Sequence, residues 1–524
     1  MGSTWSRRRA LQGALAGACS ALLPATRLLA QSSATTPSLL RARRIALVIG
    51  NSKYRQAPLR NPINDARGMA EELKKAGFGV NLGLELSQAD MREAIRTFAD
   101  ALAKTGAIGL FYFAGHGAQL AWRNYLLPVD AEIASVEDLR KLGVDVNSLI
   151  EGIRKAGNPM NLIILDACRD NPFGSTARVN QKGLSQLDAP PGTLLAYATA
   201  PGNTAIDGDG QHGLYTEHLL KEIQVPEAKV EDVFKRVRLG VRRRSNGLQI
   251  PWESTSLEED FWFIPPRELK KLADAEIERE FRQEQALWER AHGAAQPAPL
   301  EDYLRRYPNG RFAELAQLQL DRALAKLGEK KIEVIAAPKN PYTKGTAKAN
   351  TAYRIGDSFS YRLVDTLTRL ERSKYVLRVT QITDDEVIFN KGNTVTDLLG
   401  NYRKAGGADW SGSQTVPVDF SVGKRWNTRF TNMKTRAGLD TVVDLDLRIT
   451  DRETVTVPAG TFNAFRIDAK GWRTGSGVNE LWDLKTWYAP DSVRRPIAWE
   501  WLNRNRSGNF IATNRHELTA FKQK

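Results

Sequence analysis

The sequence predicts an α/β fold with a mostly parallel sheet flanked by helices over residues 43–266, then a short helical module, then an all-β C-terminal domain. Three observations predict it. Through the first half, apolar runs of strand length alternate with amphipathic helical stretches, the pattern of a largely parallel sheet. Over 267–330 a charged background carries apolar residues at helical spacing, and from 353 onward apolar and polar residues alternate with period two. A chain of 524 residues has room for several cores.

Taken in order, residues 1–30 read as an export signal, with a basic start, an Ala/Gly/Leu stretch and a small-residue cleavage site after Leu28-Leu29-Ala30. The stretch from Ser6 to Leu11 resembles a twin-arginine signal, with Ala10 in place of the usual Phe. Cys19 leaves a lipoprotein alternative open, although Ala16-Gly17-Ala18 matches that motif poorly. No other run reaches the ~20 apolar residues of a membrane span. The expected location is the bacterial periplasm or the secreted fraction.

RIALVIGN (44–51) is a buried-strand run, and the helix after it opens at Asn64 or Asp65 as cap and closes near Gly77. GVNLGLEL gives a second strand, followed by a helix capped by Ser87. AIGLFYFAG (107–115), NLIILDA (161–167) and GTLLAYATA (192–200) are further strands. GLYTEHLLKEI and VEDVFKRVRLGVRRR are helices, and DFWFI (260–264) is expected as the last strand. In the helical module, Leu269, Leu272, Ile277, Phe281 and Trp288 fall at helical spacing. Two helices then flank Pro308-Asn309-Gly310, with Phe312, Leu315, Leu320, Leu324 and Leu327 on one face. Residues 331–352, rich in Pro, Lys, Thr and Ala, suit a linker. In the β domain Val443, Leu445, Leu447 and Ile449 share a face, and TVTVPAGTFNAFRI is a hairpin. Seven of the twelve tryptophans lie there; sheet packing is the ordinary use of such residues, and a sugar-binding surface the alternative.

The chain has two cysteines, Cys19 and Cys168, so removal of the signal leaves Cys168 as a lone thiol in an oxidising compartment. His116 and Cys168 both follow apolar strand runs, and ligands of open α/β sheets bind beyond the carboxyl ends of the strands. A thiol acts as a nucleophile when an imidazole is within reach to take its proton. Each residue alone has a plain reading, a buried strand-end thiol and a turn histidine; together they point to a catalytic pair. His212 is the competing base, but DGDGQHG lacks a strand to fix it.

These segments carry a resemblance. RIALVIGNSKY, LFYFAGHGAQ, ILDACRDNPF and YATAPGNTAIDGDGQHGLYTEHLL resemble the caspase-like cysteine peptidases, most closely the bacterial paracaspase and metacaspase branch. The resemblance covers 43–266 and implies a caspase-like fold with His116 as general base and Cys168 as nucleophile. It also implies an oxyanion hole formed by the backbone N–H groups of Gly117 and Cys168. Animal caspases carry Gln two residues before the cysteine and select aspartate; here Asp166 stands at that position. The branch uses such an acid in a pocket for Arg or Lys, and similarity of LRNPINDARGM and AIDGDG adds Asp65 and Asp207 to it. Carboxylates in a cleft favour a cationic side chain. Read alone, Asp65 is equally a helix cap, and Asp207 and Asp209 equally turn residues. Arg178 and Lys182, in the segment after Cys168, offer sites for self-cleavage.

No cofactor is implied. The chain has no paired-cysteine or H-E-x-x-H metal spacing, and the DGDG acids, a calcium candidate by family analogy, lack EF-hand spacing. Net charge is +15, but the basic residues are dispersed among acids and no nucleic-acid module is present, so nucleic-acid binding is not expected. The expected activity is hydrolysis of peptide bonds after Arg or Lys in protein or peptide substrates, with an envelope partner docking on 353–524 and a homodimer as open expectations. The alternative is an envelope binding or scaffolding protein whose β domain supplies the function and whose peptidase core is quiescent.

Overall fold

Strands with no polar face need cover on both sides, and the first half of the chain supplies it. The computed structural model describes residues 39–167, 183–206, 210–266, 274–294, 296–334, 339–434 and 439–524. The expected signal, Cys19, Arg178, Lys182, Leu269 and Leu272 lie outside those residues. A six-stranded sheet contains β1 (Arg44–Gly50), β2 (Gly79–Leu84), β3 (Ile108–Ala114), β7 (Asn161–Asp166), β8 (Thr193–Tyr197) and β9 (Trp252–Thr255), in the order β2-β1-β3-β7-β8-β9. Only β9 is antiparallel to its neighbour. A second small sheet holds β4 (Gly117–Leu120), β5 (Arg123–Leu126) and β6 (Val144–Asp145); segments this short leave no periodicity to read in the sequence.

One face of the large sheet packs on α2 (Gln88–Thr105) and α4 (Val146–Ala156), through Met91, Phe98, Leu149 and Ile153 against Leu47, Phe111 and Ile163. The other carries α1 (Pro62–Lys75), α5 (Leu214–Ile223) and α6 (Val230–Arg244), with α3 (Val136–Leu142) beside the small sheet. Ser87 caps α2 as expected, accepting from the Asp90 N–H. Two expectations are corrected. The first helix starts at Pro62 with Asn61 at its N-cap, because proline's fixed φ suits the first helical position. Asp65 thus falls inside the first turn and points inward. The last strand is Trp252–Thr255, not 260–264. Phe261, Trp262 and Phe263 are buried consecutively rather than alternately. Phe261 and Phe263 pack edge to face at 5.3 Å, the Arg44 guanidinium lies 5.0 Å over Phe261, and Trp262 makes only an isolated bridge to Lys229.

The helical module comprises α7 (Asp274–Ala291), α8 (Pro297–Arg306) and α9 (Ala313–Lys326), with Trp288 stacked on Phe312 at 5.4 Å. Leu320 and Leu324 are buried as expected, but Leu327 is 65% exposed because α9 ends before it. Among the described residues, twelve antiparallel strands from Ser358–Asp365 to Phe510–Lys522 then close into a barrel, the first pairing with the last. Val443, Leu445, Leu447 and Ile449 point to its core.

These parts are joined by specific contacts. Arg242 on α6 is buried and holds Glu329 through Nε (3.0 Å) and Nη2 (2.5 Å), and Asp321 through Nη1 (2.6 Å). Part of the expected linker lies against the α/β half. Asn340 donates to Ser185 Oγ and the Gln186 carbonyl, the Tyr342 carbonyl accepts from the Asp188 N–H, and Thr346–Lys348 pairs with Asp419–Ser421. Extended, Pro-rich chain serves for a strap as well as for a spacer. Gly423, in the turn after that last strand, sits against the Thr255 carbonyl of β9 so closely that a Cβ has no room, and Arg425 donates to the Leu257 carbonyl.

Removing one partner of a buried ion pair leaves the other uncompensated, so Arg242→Ala is expected to cost about 3–5 kcal/mol in urea unfolding. The barrel supplies a pH test. Burial holds His516 down to about 4 from its ordinary 6.5. The unfolded chain therefore binds the extra proton first as pH falls, and stability present above pH 6.5 drains away down to about pH 4. That loss is expected to reach roughly 3 kcal/mol and to vanish in His516→Gln, as read from the difference between the two proteins' pH–stability curves.

Candidate active site

β3 and β7 are parallel neighbours in register, Ala114 opposite Asp166, so the chain leaves the sheet from both strands at one level. Two residues beyond Ala114 stands His116, 2% exposed. Its Nε2 lies 2.7 Å from the Ala57 carbonyl oxygen. A carbonyl only accepts, so in the neutral ring Nε2 carries the hydrogen and Nδ1 the lone pair. Ala57 reaches this position with φ of 52°, in the left-handed region that non-glycine residues avoid. Such strain persists where surrounding structure over-determines it.

The surrounding structure is a set of hydrogen bonds from the end of β1. The Tyr54 hydroxyl accepts from the His116 N–H (2.9 Å) and donates to the Leu127 carbonyl (3.0 Å), while the Leu127 N–H donates to the His116 carbonyl (2.9 Å). The phenol thus replaces one bond of the ladder that begins the small sheet, and its ring packs on the imidazole at 4.4 Å. Asn51 ties the same point down, donating to the Leu127 carbonyl and accepting from the Leu86 N–H. Because His116 faces Leu127 in the ladder, the next residue, Gly117, turns its N–H away from β5. Gly117 also packs where a Cβ would lie 2.8 Å from the Ala167 carbonyl. Ala167 ends β7's exit; Cys168, the following residue, lies outside the described residues, as does Asp207.

The two remaining acids meet at the first turn of α5. Asp65 is buried and accepts from the Gly213 N–H (3.1 Å) and from His212 Nδ1 (2.9 Å). Asp166 accepts from Thr216 Oγ1 (2.7 Å), whose oxygen in turn accepts from the buried Tyr112 hydroxyl (2.6 Å). Both carboxylates act on that phenol, whose titration burial and then Asp166 and Asp65 push upward. A helix N-terminus is a favourable place for negative charge. Asp65 therefore does not cap α1, the helix that carries it; its side chain reaches the N-terminus of α5. His212, weighed as a competing base, is instead the partner of Asp65, and burial biases it toward the neutral form. Among the described residues, no three His, Cys, Asp or Glu side chains gather as a metal site.

Asn51, Tyr54, Ala57, Tyr112 and Thr216 were not singled out from the sequence. One signal was present: Asn51 is a polar residue placed directly after an unbroken apolar strand. Nothing local marks Ala57, whose part is played by its backbone. Tyr54→Phe removes the hydroxyl that the His116 N–H needs, while the Leu127 carbonyl keeps Asn51. It is expected to lower stability by ~1–3 kcal/mol in thermal or urea unfolding, whereas Tyr125→Phe, whose hydroxyl has no part in this ladder, serves as the control.

Residues 43–262 match the family model of the caspase domain. The human mucosa-associated lymphoid tissue lymphoma translocation protein 1 is 30% identical over 175 residues, covering 33% of this chain and 20% of that protein. Its mouse homolog is 28% identical over 166 residues, covering 31% and 19%. The match thus spans about a fifth of the length of these relatives. Residues 43–262 of this chain thus form a caspase-like domain.

Proposed function

We propose that this chain is an exported cysteine endopeptidase that cleaves after Arg or Lys, with Cys168 as nucleophile and His116 as general base. The observation that carries the reading is the oriented imidazole of His116, its tautomer set by Ala57, at the exit of a strand in register with the one leading to Cys168. Neighbouring strands run ~4.8 Å apart, which suits a proton transfer between residues two positions beyond each strand. Cys168 Sγ gives its proton to His116 Nδ1, and the thiolate bonds to the scissile carbonyl carbon. The carbonyl oxygen becomes an oxyanion that the N–H groups of Gly117 and Cys168 stabilise. Collapse breaks the C–N bond, the amine leaving with the proton from His116, and water then hydrolyses the thioester.

Asp166 and Asp65, gathered at α5, and Asp207 after β8 form the pocket for the cationic side chain. A carboxylate pair beside a cleft raises the affinity for Arg or Lys and repels Asp. Location in the periplasm rests on the signal read in residues 1–30.

Fluorogenic peptides ending in Arg, Lys or Asp test this directly. Arg and Lys peptides are expected to be cleaved and Asp peptides not. His116→Ala is expected to lower kcat/KM by roughly 10²–10⁴-fold, and Cys168→Ala to abolish turnover. Preference for Asp would refute the pocket, and turnover by Cys168→Ala would refute the nucleophile.

A further inference from the structure

The two ends of the closed barrel differ. One carries Gly423 and Arg425, which touch the α/β half at Thr255 and Leu257. At the other, two hairpins stand side by side. Ser358–Asp365 turns into Glu371–Ile382, Ala498–Asn505 turns into Phe510–Lys522, and the first of these strands pairs with the last. The Thr366 N–H continues that pairing to the Thr513 carbonyl (2.8 Å), which keeps the two turns together. Leu367, Leu370, Phe510 and Ile511 are 65%, 67%, 45% and 53% exposed there. Phe510 and Ile511 are consecutive and lie on opposite faces of their strand, so exposure of both means that the rim itself stands in solvent.

The unpaired charge on these turns is of one sign. Arg369, Arg504 and Arg506 are exposed, and the Arg504 guanidinium lies 4.5 Å over the Phe510 ring. Arg506 lies beside the neutral amide of Asn479. The acids are already engaged: Asp365 holds Arg372, Glu371 holds Lys374 at 3.3 Å, and Glu480, across from Asn505, holds Arg473 at 3.5 Å. Among the described residues, the three rim arginines therefore carry charge that no acid pairs. The barrel's outer wall differs from its rim. Asp444, Asp446 and Arg448 alternate outward with the core residues Leu445 and Leu447, the reverse of the apolar band that a spanning barrel turns to lipid. Contact with an apolar phase is confined to the rim.

We propose that this rim docks on an anionic lipid surface, with Leu367, Leu370, Phe510 and Ile511 entering the acyl boundary and Arg369, Arg504 and Arg506 at the headgroup phosphates. A cluster of large apolar side chains left in water marks an interaction site. Four of them on two narrow turns are protruding points rather than a face, whereas a stable protein interface takes ~800 Å² from each partner. The boundary of a bilayer admits such side chains singly, and binding there grows with the apolar area buried and with attraction to anionic lipid. The arginines supply that attraction from the same turns. Docking at this end leaves the opposite end, with the α/β half attached, in water. The proposal concerns the barrel and stands whether or not the α/β half cleaves peptides.

The full chain is titrated with phosphatidylglycerol vesicles and with phosphatidylcholine vesicles, and hydrogen exchange is followed by mass spectrometry. Phosphatidylglycerol is expected to slow the amides of 366–371 and 505–511 severalfold, and phosphatidylcholine to do so far less. Because residues 1–30 are themselves basic, affinity is read from the lipid dependence of this local slowing rather than from total binding. Leu370→Ser and Ile511→Ser are each expected to weaken it roughly tenfold, and Arg506→Glu about fivefold. Leu327→Ser, also 65% exposed but in the helical module, is expected to leave it unchanged. No slowing at the two turns, equal slowing by both lipids, or slowing indifferent to the three rim variants would each overturn the proposal. A dimer in solution that the rim variants dissociate would give the rim to a second copy and overturn it as well.

Discussion

A backbone carbonyl can accept a hydrogen bond and nothing more, and the carbonyl of Ala57 therefore decides what the imidazole of His116 can do. Held at 2.7 Å, Nε2 is committed as a donor and Nδ1 is left as the basic nitrogen. No side chain could enforce this as strictly, since carboxylates and hydroxyls change role with protonation or rotation. The constraint is distributed. Ala57 keeps a left-handed backbone because Tyr54 and Asn51, a few residues earlier, are bound to the start of the small sheet. Movement of this turn would disturb the ladder, the ring packing and the tautomer together.

The acids obey a related logic. Asp65 and Asp166 come from elements about a hundred residues apart in sequence, yet both are fastened to the first turn of α5, one by the Gly213 N–H and one by Thr216. Folding of that helix against the strand ends is what assembles the pair. Their hydrogen bonds keep the carboxylates at a fixed place while the helix terminus offsets their mutual repulsion. His212 contributes from the loop leading into the same helix.

Much of this was legible in the sequence, for physical reasons that can be named. Unbroken apolar runs such as 45–50 and 162–165 admit few structures besides strands covered on both sides, so the sheet could be read directly. Strict alternation from Val443 to Ile449 likewise gave the inward face of the barrel. What resisted reading was either too short or not encoded in side chains. The four-residue strands of the small sheet have no period to detect, and the triple aromatic run 261–263 looks like a strand while serving as a plug under Arg44. The contribution of Ala57 is a carbonyl oxygen, which every residue possesses. Thr216 and His212 are ordinary polar residues whose value depends on which acid the fold brings to them. The closure of the barrel depends on the pairing of its first strand with its last, which no single segment reveals.

The contact of Gly423 with the Thr255 carbonyl has a bearing on assembly. β9 is the last strand of the large sheet, and a terminal strand with unpaired backbone groups is a template on which another chain can add. Here the turn of the barrel domain lies over it, with Arg425 bound to the Leu257 carbonyl just beyond. The C-terminal half of the chain thus acts as a chaperone carried in cis for that edge. While it is seated, the Thr255 end of that strand is covered by the chain's own barrel.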